Sequence, residues 1–204
     1  MKQEVIVIGA GGHGKVVADI VLSCGDTLLG FLDDSREAGE SICGIPVLGK
    51  LCDHVRYPNA RFVVGIGGAQ TRRKIAQALE GVQWYTAIHP SAVISRLDTR
   101  IGEGTVVMAG AIVNPCSTIG KHCILNTGCS IDHDNRIGDY THISVGAHLA
   151  GTVTVGEEVW VGIGATVSNN LSLCDRCFIG AGAVVVHPIT EVGTYVGIPV
   201  RKIK

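Results

Sequence analysis

The chain has 204 residues, with 17 Lys or Arg against 18 Asp or Glu, a formal net charge of −1. That balance removes the basic footprint on which nucleic-acid binding depends, and 46% apolar residues with a mean hydropathy of +0.34 exclude a disordered chain. Aromatic residues make up 4%, whereas 28 residues are Gly and 59 are Val, Ile or Leu, so the core is built from branched aliphatics and tight turns, as in a solenoid or a parallel sheet.

Residues 4–8 read as a buried strand. The apolar run over 5–12 is far short of the ~20 residues a membrane span needs. It enters a Gly-rich loop rather than a cleavage site, so no secretory signal is expected and the chain is placed in the cytoplasm. Residues 15–24 predict a helix, 28–32 and 60–66 further strands, and 72–79 a second helix, an alternation that argues for a small parallel α/β domain. Between the first strand and helix, Gly9-Ala-Gly11-Gly12-His13-Gly14 satisfies G-x-G-x-x-G in the context that motif requires, where backbone N–H groups at a helix start hold a phosphate. Asp33 and Asp34 follow by about twenty residues at a strand end, where a carboxylate can bind a ribose hydroxyl. The literal reading is a dinucleotide site. So short a segment, however, offers one mononucleotide-binding half of a Rossmann fold, so a nucleotide bearing a sugar fits better. A turn needed only for helix–strand packing is the alternative.

From Ile101 the period becomes six. Ile101, Val107, Val113, Ile119, Leu125, Ile131, Ile137, Ile143, Leu149, Val155, Val161, Val167, Leu173, Ile179 and Val185 are all branched aliphatics. Independent placement would give that run with a probability of roughly 10⁻⁸. Four residues on from each of the first fourteen, the side chain is mostly small or β-branched. This pattern describes short strands turned at corners, three hexapeptides to a triangular coil, hence a hexapeptide parallel β-helix. Gly102, Gly120, Gly138, Gly156 and Gly180 are expected to mark one corner. The six-residue phase slips between Ile94 and Ile101, so the segment 88–95, with Pro90 breaking regularity, is the candidate junction, and the boundary is expected near residue 86, giving units 1–86 and 87–204. The flat sides of such a prism invite oligomerisation.

In the coil carrying Asn126 and Ile131, His133 sits at an outward corner between Asp132 and Asp134. One ring nitrogen can be held by a carboxylate and the other left free as a base; a solvated surface histidine is the alternative. Eight cysteines, in a reducing compartment, act mostly as small buried apolar residues. Cys174 and Cys177 have metal-like spacing but no second pair to complete a tetrahedral site, so no metal is expected.

Taken whole, the chain resembles the bacterial hexapeptide sugar acyltransferases that pair a small nucleotide-binding domain with a left-handed β-helix. The resemblance is carried by Gly9-Ala-Gly-Gly-His-Gly14, Phe31-Leu-Asp-Asp34, Gly65-Ile-Gly-Gly68 with Arg72, Ile88-His-Pro-Ser-Ala92, Asn126-Thr127, His133-Asp134, His142 and Gly197-Ile-Pro199. It implies an α/β Rossmann-like half domain before a left-handed parallel β-helix, an acetyl-CoA-dependent N-acetyltransferase acting on a nucleotide-linked amino sugar, of the UDP-4-amino-4,6-dideoxy type, for surface glycan biosynthesis, and a homotrimer with sites between subunits. By that similarity His133 is the general base, with Asp134, or Asp132 in its place, raising its basicity. His142 and the Gly151 backbone would hold the thioester carbonyl, and Ile163 and Ala181 would line the pantetheine groove. Gly11, Gly12, His13, Asp33, Asp34 and Gly67 would contact the nucleotide sugar.

A sialic-acid-type sugar O-acetyltransferase is the nearest alternative. A metal-dependent hydratase on the same fold would need His133, His142 and His148 to converge. A nicotinamide oxidoreductase rests only on the glycine loop, and a purely structural solenoid predicts no acetyl-CoA binding.

Overall fold

The computed structural model describes residues 2–79 and 81–203. The chain divides into two compact units, Met1–Pro90 and Ser91–Lys204, four residues beyond the boundary expected near residue 86.

The first unit is built on a six-stranded sheet in the order β3-β4-β2-β1-β5-β6, from β1 (Glu4–Ile8), β2 (Thr27–Leu32), β3 (Ser41–Ile42), β4 (Ile45–Gly49), β5 (Arg61–Val64) and β6 (Gln83–Trp84). All its pairings are parallel except β3 with β4. Helix α1 (Gly12–Ser23) links β1 to β2 and turns Val17, Ala18, Ile20 and Val21 inward against those strands. Helix α2 (Ala69–Ala78) packs against β5. Successive strand residues face opposite sides of a sheet, and Ile6, Ile8, Leu32, Phe62 and Val64 accordingly form one buried cluster with Leu79, joined by Leu51, Ile75 and Trp84.

Both helices begin three residues before the expected position. For α1 the reason is a close approach: a Cβ on Gly14 would overlap the Gly9 carbonyl, so only glycine lets the first helical turn lie against the end of β1. The β3–β4 hairpin was not expected. Its turn places Cys43 and Gly44 at φ of 54° and 82°, the paired left-handed geometry of a tight hairpin. A 3₁₀ helix, Leu51–Arg56, also escapes the sequence pattern.

The second unit is a parallel β-helix with three faces of stacked two-residue strands. The first face runs Val93–Ile94, Ile112–Val113, Ser130–Ile131, His148–Leu149, Thr166–Val167 and Val184–Val185. The second runs from Arg100–Ile101 to Ser172–Leu173, and the third from Val106–Val107 to Phe178–Ile179, where Thr194–Val196 and the antiparallel Arg201–Lys202 finish it. Along the first face, from Ile112 onward, partners are 18 residues apart, as three hexapeptides per coil require. The aliphatic of each hexapeptide from Val107 on is buried, and most side chains four positions later are buried as well.

One expectation about the corners needs correction. Gly102, Gly120, Gly138 and Gly156 follow the second face, and Gly138 stacks directly over Gly156. Gly180 instead follows the third face and stacks on Gly162, because 24 residues is not a whole number of coils.

Candidate active site

In the first unit, the ends of β1, β2 and β5 bring three loops together. Asp33 ties two of them: its Oδ2 accepts the Ala10 N–H at 2.7 Å, and its Oδ1 accepts the Ser35 N–H and hydroxyl. Asp34 Oδ1 accepts the Leu51 N–H at 2.8 Å. These carboxylates shape the loop walls, and apart from Asp33 Oδ1, which already accepts two hydrogen bonds, their oxygens keep lone pairs for a ligand hydroxyl. A cleft of about 390 Å³ lined by Asp34, Leu51, Cys52, His54, Ala78 and Leu79 opens beside them.

The glycines divide by what a side chain would meet. Gly9 and Gly14 are required by packing, but a Cβ on Gly11, Gly12 or Gly67 would meet nothing within 4 Å. Packing therefore explains only part of the motif, and the open part lies at the N-terminus of α1, where the helix dipole favours an anion. Beneath it, the almost fully buried Arg72 donates from Nη1 to the carbonyls of Ile66 and Gly67 at 3.2 and 2.6 Å. Burial first, and the Arg72 charge second, push the His13 imidazole down to about 4, so it is neutral at physiological pH.

In the β-helix, His133 stands at the first corner, just after the strand Ser130–Ile131. Its Nδ1 is 2.7 Å from Asp134 Oδ2. Asp134 reaches back because its backbone is left-handed, at φ 59°, and is fixed by its N–H donating to the Pro115 carbonyl. The choice between the two neighbouring carboxylates follows directly: Asp132 Oδ1 accepts the His133 backbone N–H and the Asn114 amide, so Asp134 is the one on the ring. That hydrogen bond, helped by the charges of Asp132 and Asp134, raises the His133 pKa above its ordinary value.

With Nδ1 committed, Nε2 is the free nitrogen. It lies over Gly151, one coil on: a Cβ there would stand 2.6 Å from Nε2 and from Cε1. A base whose exposed nitrogen borders a bare backbone is suited to take a proton from a nucleophile and leave a reacting carbonyl close to peptide N–H groups.

His142 lies elsewhere, on the third face. Its Nε2 accepts from Asn126 Nδ2 at 3.0 Å, the donor role being set because Asn126 Oδ1 already accepts the Thr127 N–H. Trp160 meets the ring edge-on at 4.3 Å, and Phe178 stacks on Trp160 at 5.8 Å. Ile163 and Ala181, both exposed, occupy the third corner. Within one chain the expected residues thus fall into two groups: His133, Asp134 and Gly151 at the first corner, His142 with Ile163 and Ala181 at the third face and corner. His148 is on the first face with its Nδ1 2.8 Å from Ser130 Oγ. Among the described residues no group of three His, Cys, Asp or Glu side chains is placed to hold a metal ion, and no helix is long and apolar enough to cross a membrane.

Two family profiles match: the PglD N-terminal domain over residues 4–79 and the bacterial transferase hexapeptide (six repeats) over residues 98–133. UDP-N-acetylbacillosamine N-acetyltransferase of Bacillus subtilis is 38% identical over 117 residues, 52% of this chain. An uncharacterised protein of Acanthamoeba polyphaga mimivirus is 36% identical over 103 residues. The matched stretches span 52% and 21% of those two proteins' lengths. Among solved structures, the acetyltransferase domain of PglB from Neisseria gonorrhoeae in complex with acetyl coenzyme A is 37% identical, with full coverage of both chains and a TM-score of 0.93. PerB from Caulobacter crescentus, in complex with CoA and GDP-perosamine, is 36% identical over 98% of this chain and 96% of its own, with a TM-score of 0.92.

Proposed function

The chain belongs to the hexapeptide-repeat sugar acetyltransferases with a PglD-type N-terminal domain, and we propose from that membership that it transfers the acetyl group of acetyl-CoA to the amine of a nucleotide-linked amino sugar. The observation that carries the reading is the His133 corner: a ring held by Asp134 through Nδ1, with Nε2 free beside Gly151. An amine attacks a thioester only as the free base, and at neutral pH most of it is protonated. In the proposed step His133 Nε2 takes a proton from the attacking nitrogen as the C–N bond forms. The tetrahedral intermediate then collapses with cleavage of C–S, and the imidazolium returns the proton to the departing thiolate. An N–H donor to the oxyanion, for which Gly151 is the candidate, is typically worth about 3 kcal/mol.

The nucleotide is assigned to the first unit. Gly11, Gly12 and Gly67 leave room for phosphates to approach backbone, Arg72 supplies positive charge behind them, and the cleft beside Asp34 accommodates a nucleoside. Acetyl-CoA is assigned to the β-helix, with His142 at the thioester and Ile163 and Ala181 along the pantetheine. Because His133 and His142 stand on different sides of one prism, a single site containing both requires two chains, which supports a homotrimer. A cytoplasmic location is proposed with it, since the eight cysteines are free and stay so in a reducing compartment.

Thiol release from acetyl-CoA, measured against a panel of UDP-, GDP- and dTDP-linked amino sugars and their hydroxy counterparts, tests the reading. Turnover with amino sugars is expected. Turnover with hydroxy sugars alone would replace it by O-acetylation, and no turnover with any of them would remove it. Sedimentation tests the trimer, and a monodisperse monomer at micromolar concentration would exclude the shared site.

A further inference from the structure

Asn135 is fully buried at the corner that carries His133. Its amide Nδ2 faces three carbonyl oxygens: Asp132 at 2.8 Å, His133 at 3.2 Å and Ala150 at 2.9 Å. Carbonyl oxygens need a donor facing them, so the NH₂ group, its two hydrogens shared among the three, must point this way and the orientation of the amide is set by its surroundings. Two of the bonds close on the loop that holds the histidine. The third crosses to the next coil, beside Gly151, the residue over which the imidazole lies.

The repeat supplies its own control. The same inward position is Thr105, Ser117 and Thr141 in other hexapeptides, and each of those hydroxyls donates to one carbonyl fifteen residues on: Gly120 at 2.8 Å, Asp132 at 2.9 Å and Gly156 at 2.8 Å. Each also accepts the N–H eighteen residues on. A hydroxyl therefore suffices to stitch one coil to the next. Asn135 makes the donated half of that stitch, to Ala150, and adds the two bonds within its own corner, to the Asp132 and His133 carbonyls. Its Oδ1 has no partner among the described residues, a cost that a stitch alone does not require.

We propose that Asn135 is a positioning residue for the transfer reaction: it clamps the Asp132 and His133 carbonyls to the Ala150 carbonyl and so fixes the His133 ring against Asp134 and over Gly151. The inference rests on the reading of His133 as the base. It adds a determinant of that base which touches no substrate.

Asn135→Ser separates the two roles, because serine keeps the stitch seen at Ser117 and loses the local clamp. The expected result is a melting temperature within about 3 °C of the native protein, unchanged KM values, and kcat lowered about tenfold, since misplacing a catalytic group by about 1 Å costs about 10²-fold. The charged groups acting on the ring are Asp132 and Asp134. With the clamp gone the Asp134 bond loosens, and the imidazole titration, followed by NMR of ring-labelled protein with the signal assigned through His133→Ala, moves down toward its ordinary 6.5. A native kcat together with an unshifted titration in Asn135→Ser would overturn the proposal and reduce Asn135 to a coil stitch. If His133→Ala keeps near-native turnover on a nucleotide amino sugar, it is the base assignment that fails, whatever Asn135→Ser does to the ring titration.

Discussion

Two histidines, one in each unit, have opposite environments. His13 lies within the glycine loop, in the first turn of α1, where burial and the Arg72 guanidinium hold it neutral. His133 stands at an open corner, its ring and its Asp134 partner each 55% exposed, and the carboxylate draws its pKa upward. The contrast shows how one residue type serves two purposes. A histidine buried beside a cation is held in its neutral form, while a histidine paired with a carboxylate in the open has its protonated form favoured.

The widest separation between them is expected in catalysis. His133→Ala should lower kcat by about 10²–10⁴-fold without unfolding the protein, because the side chain is at an outward corner and general-base catalysis is worth that much. A steady-state assay beside a thermal melt decides it. Asp134→Asn should give a smaller loss and move the rising, low-pH limb of the pH–rate profile to lower pH, because the cause of the raised His133 pKa has been removed.

Next is Gly151→Ala. A methyl group 2.6 Å from Nε2 must displace the ring, so a kcat loss of about 10²-fold is expected with little change in sugar KM. A Gly151→Ala enzyme with native kcat would show that the ring need not lie over that backbone.

The two histidines should also part in pH-dependent stability. His13 titrates near 4 in the folded chain and near 6.5 in the unfolded one. As pH falls from 6.5 to 4, the unfolded chain binds a proton that the folded chain does not, and stability drops by up to about 3 kcal/mol, with no further loss from this group below 4. Urea midpoints for the native protein and His13→Asn should therefore converge across that window, with the variant flatter. His133 has the reverse sign: its folded pKa is raised, so its contribution is present below 6.5 and fades as pH rises through the folded value. The smallest effect is the one on substrate use. Asp34→Ala should raise the sugar KM several-fold and leave acetyl-CoA affinity nearly alone; equal weakening toward both would break the division of labour between the units.

The six-residue period was legible because burial repeats with it, and the same arithmetic contains more than the sequence reading drew from it. Residues 133 and 151, or 163 and 181, differ by 18 and must stack, which separates His133 from Ile163 without any coordinates. The corner glycines could have been sorted in this way too. Asn135 was visible only as one polar residue in a column of small ones, since what distinguishes an amide from a hydroxyl there is the direction of two hydrogen bonds. The Cys43-Gly44 hairpin was missed because the first turn position holds Cys43 where an Asn or Asp before glycine would signal a left-handed pair. In the glycine loop, spacing found the motif but could not divide it. Which glycines serve packing and which leave space depends on the Gly9 carbonyl and the Ile66 side chain.

The stacking of neighbouring coils also has a consequence in time. His133, its clamp and Gly151 are brought together by hydrogen bonds between coils 18 residues apart, such as Thr152 N–H to the His133 carbonyl, so the corner can close once about two coils have left the ribosome. At about 5–20 residues per second, that stretch emerges within seconds. Each later coil then adds to a finished template, as nearest-neighbour folding in repeat proteins implies. The corner of Ile163 and Ala181 emerges afterwards, so on the proposed assignment a nascent chain completes the His133 corner before the corner proposed to hold the donor.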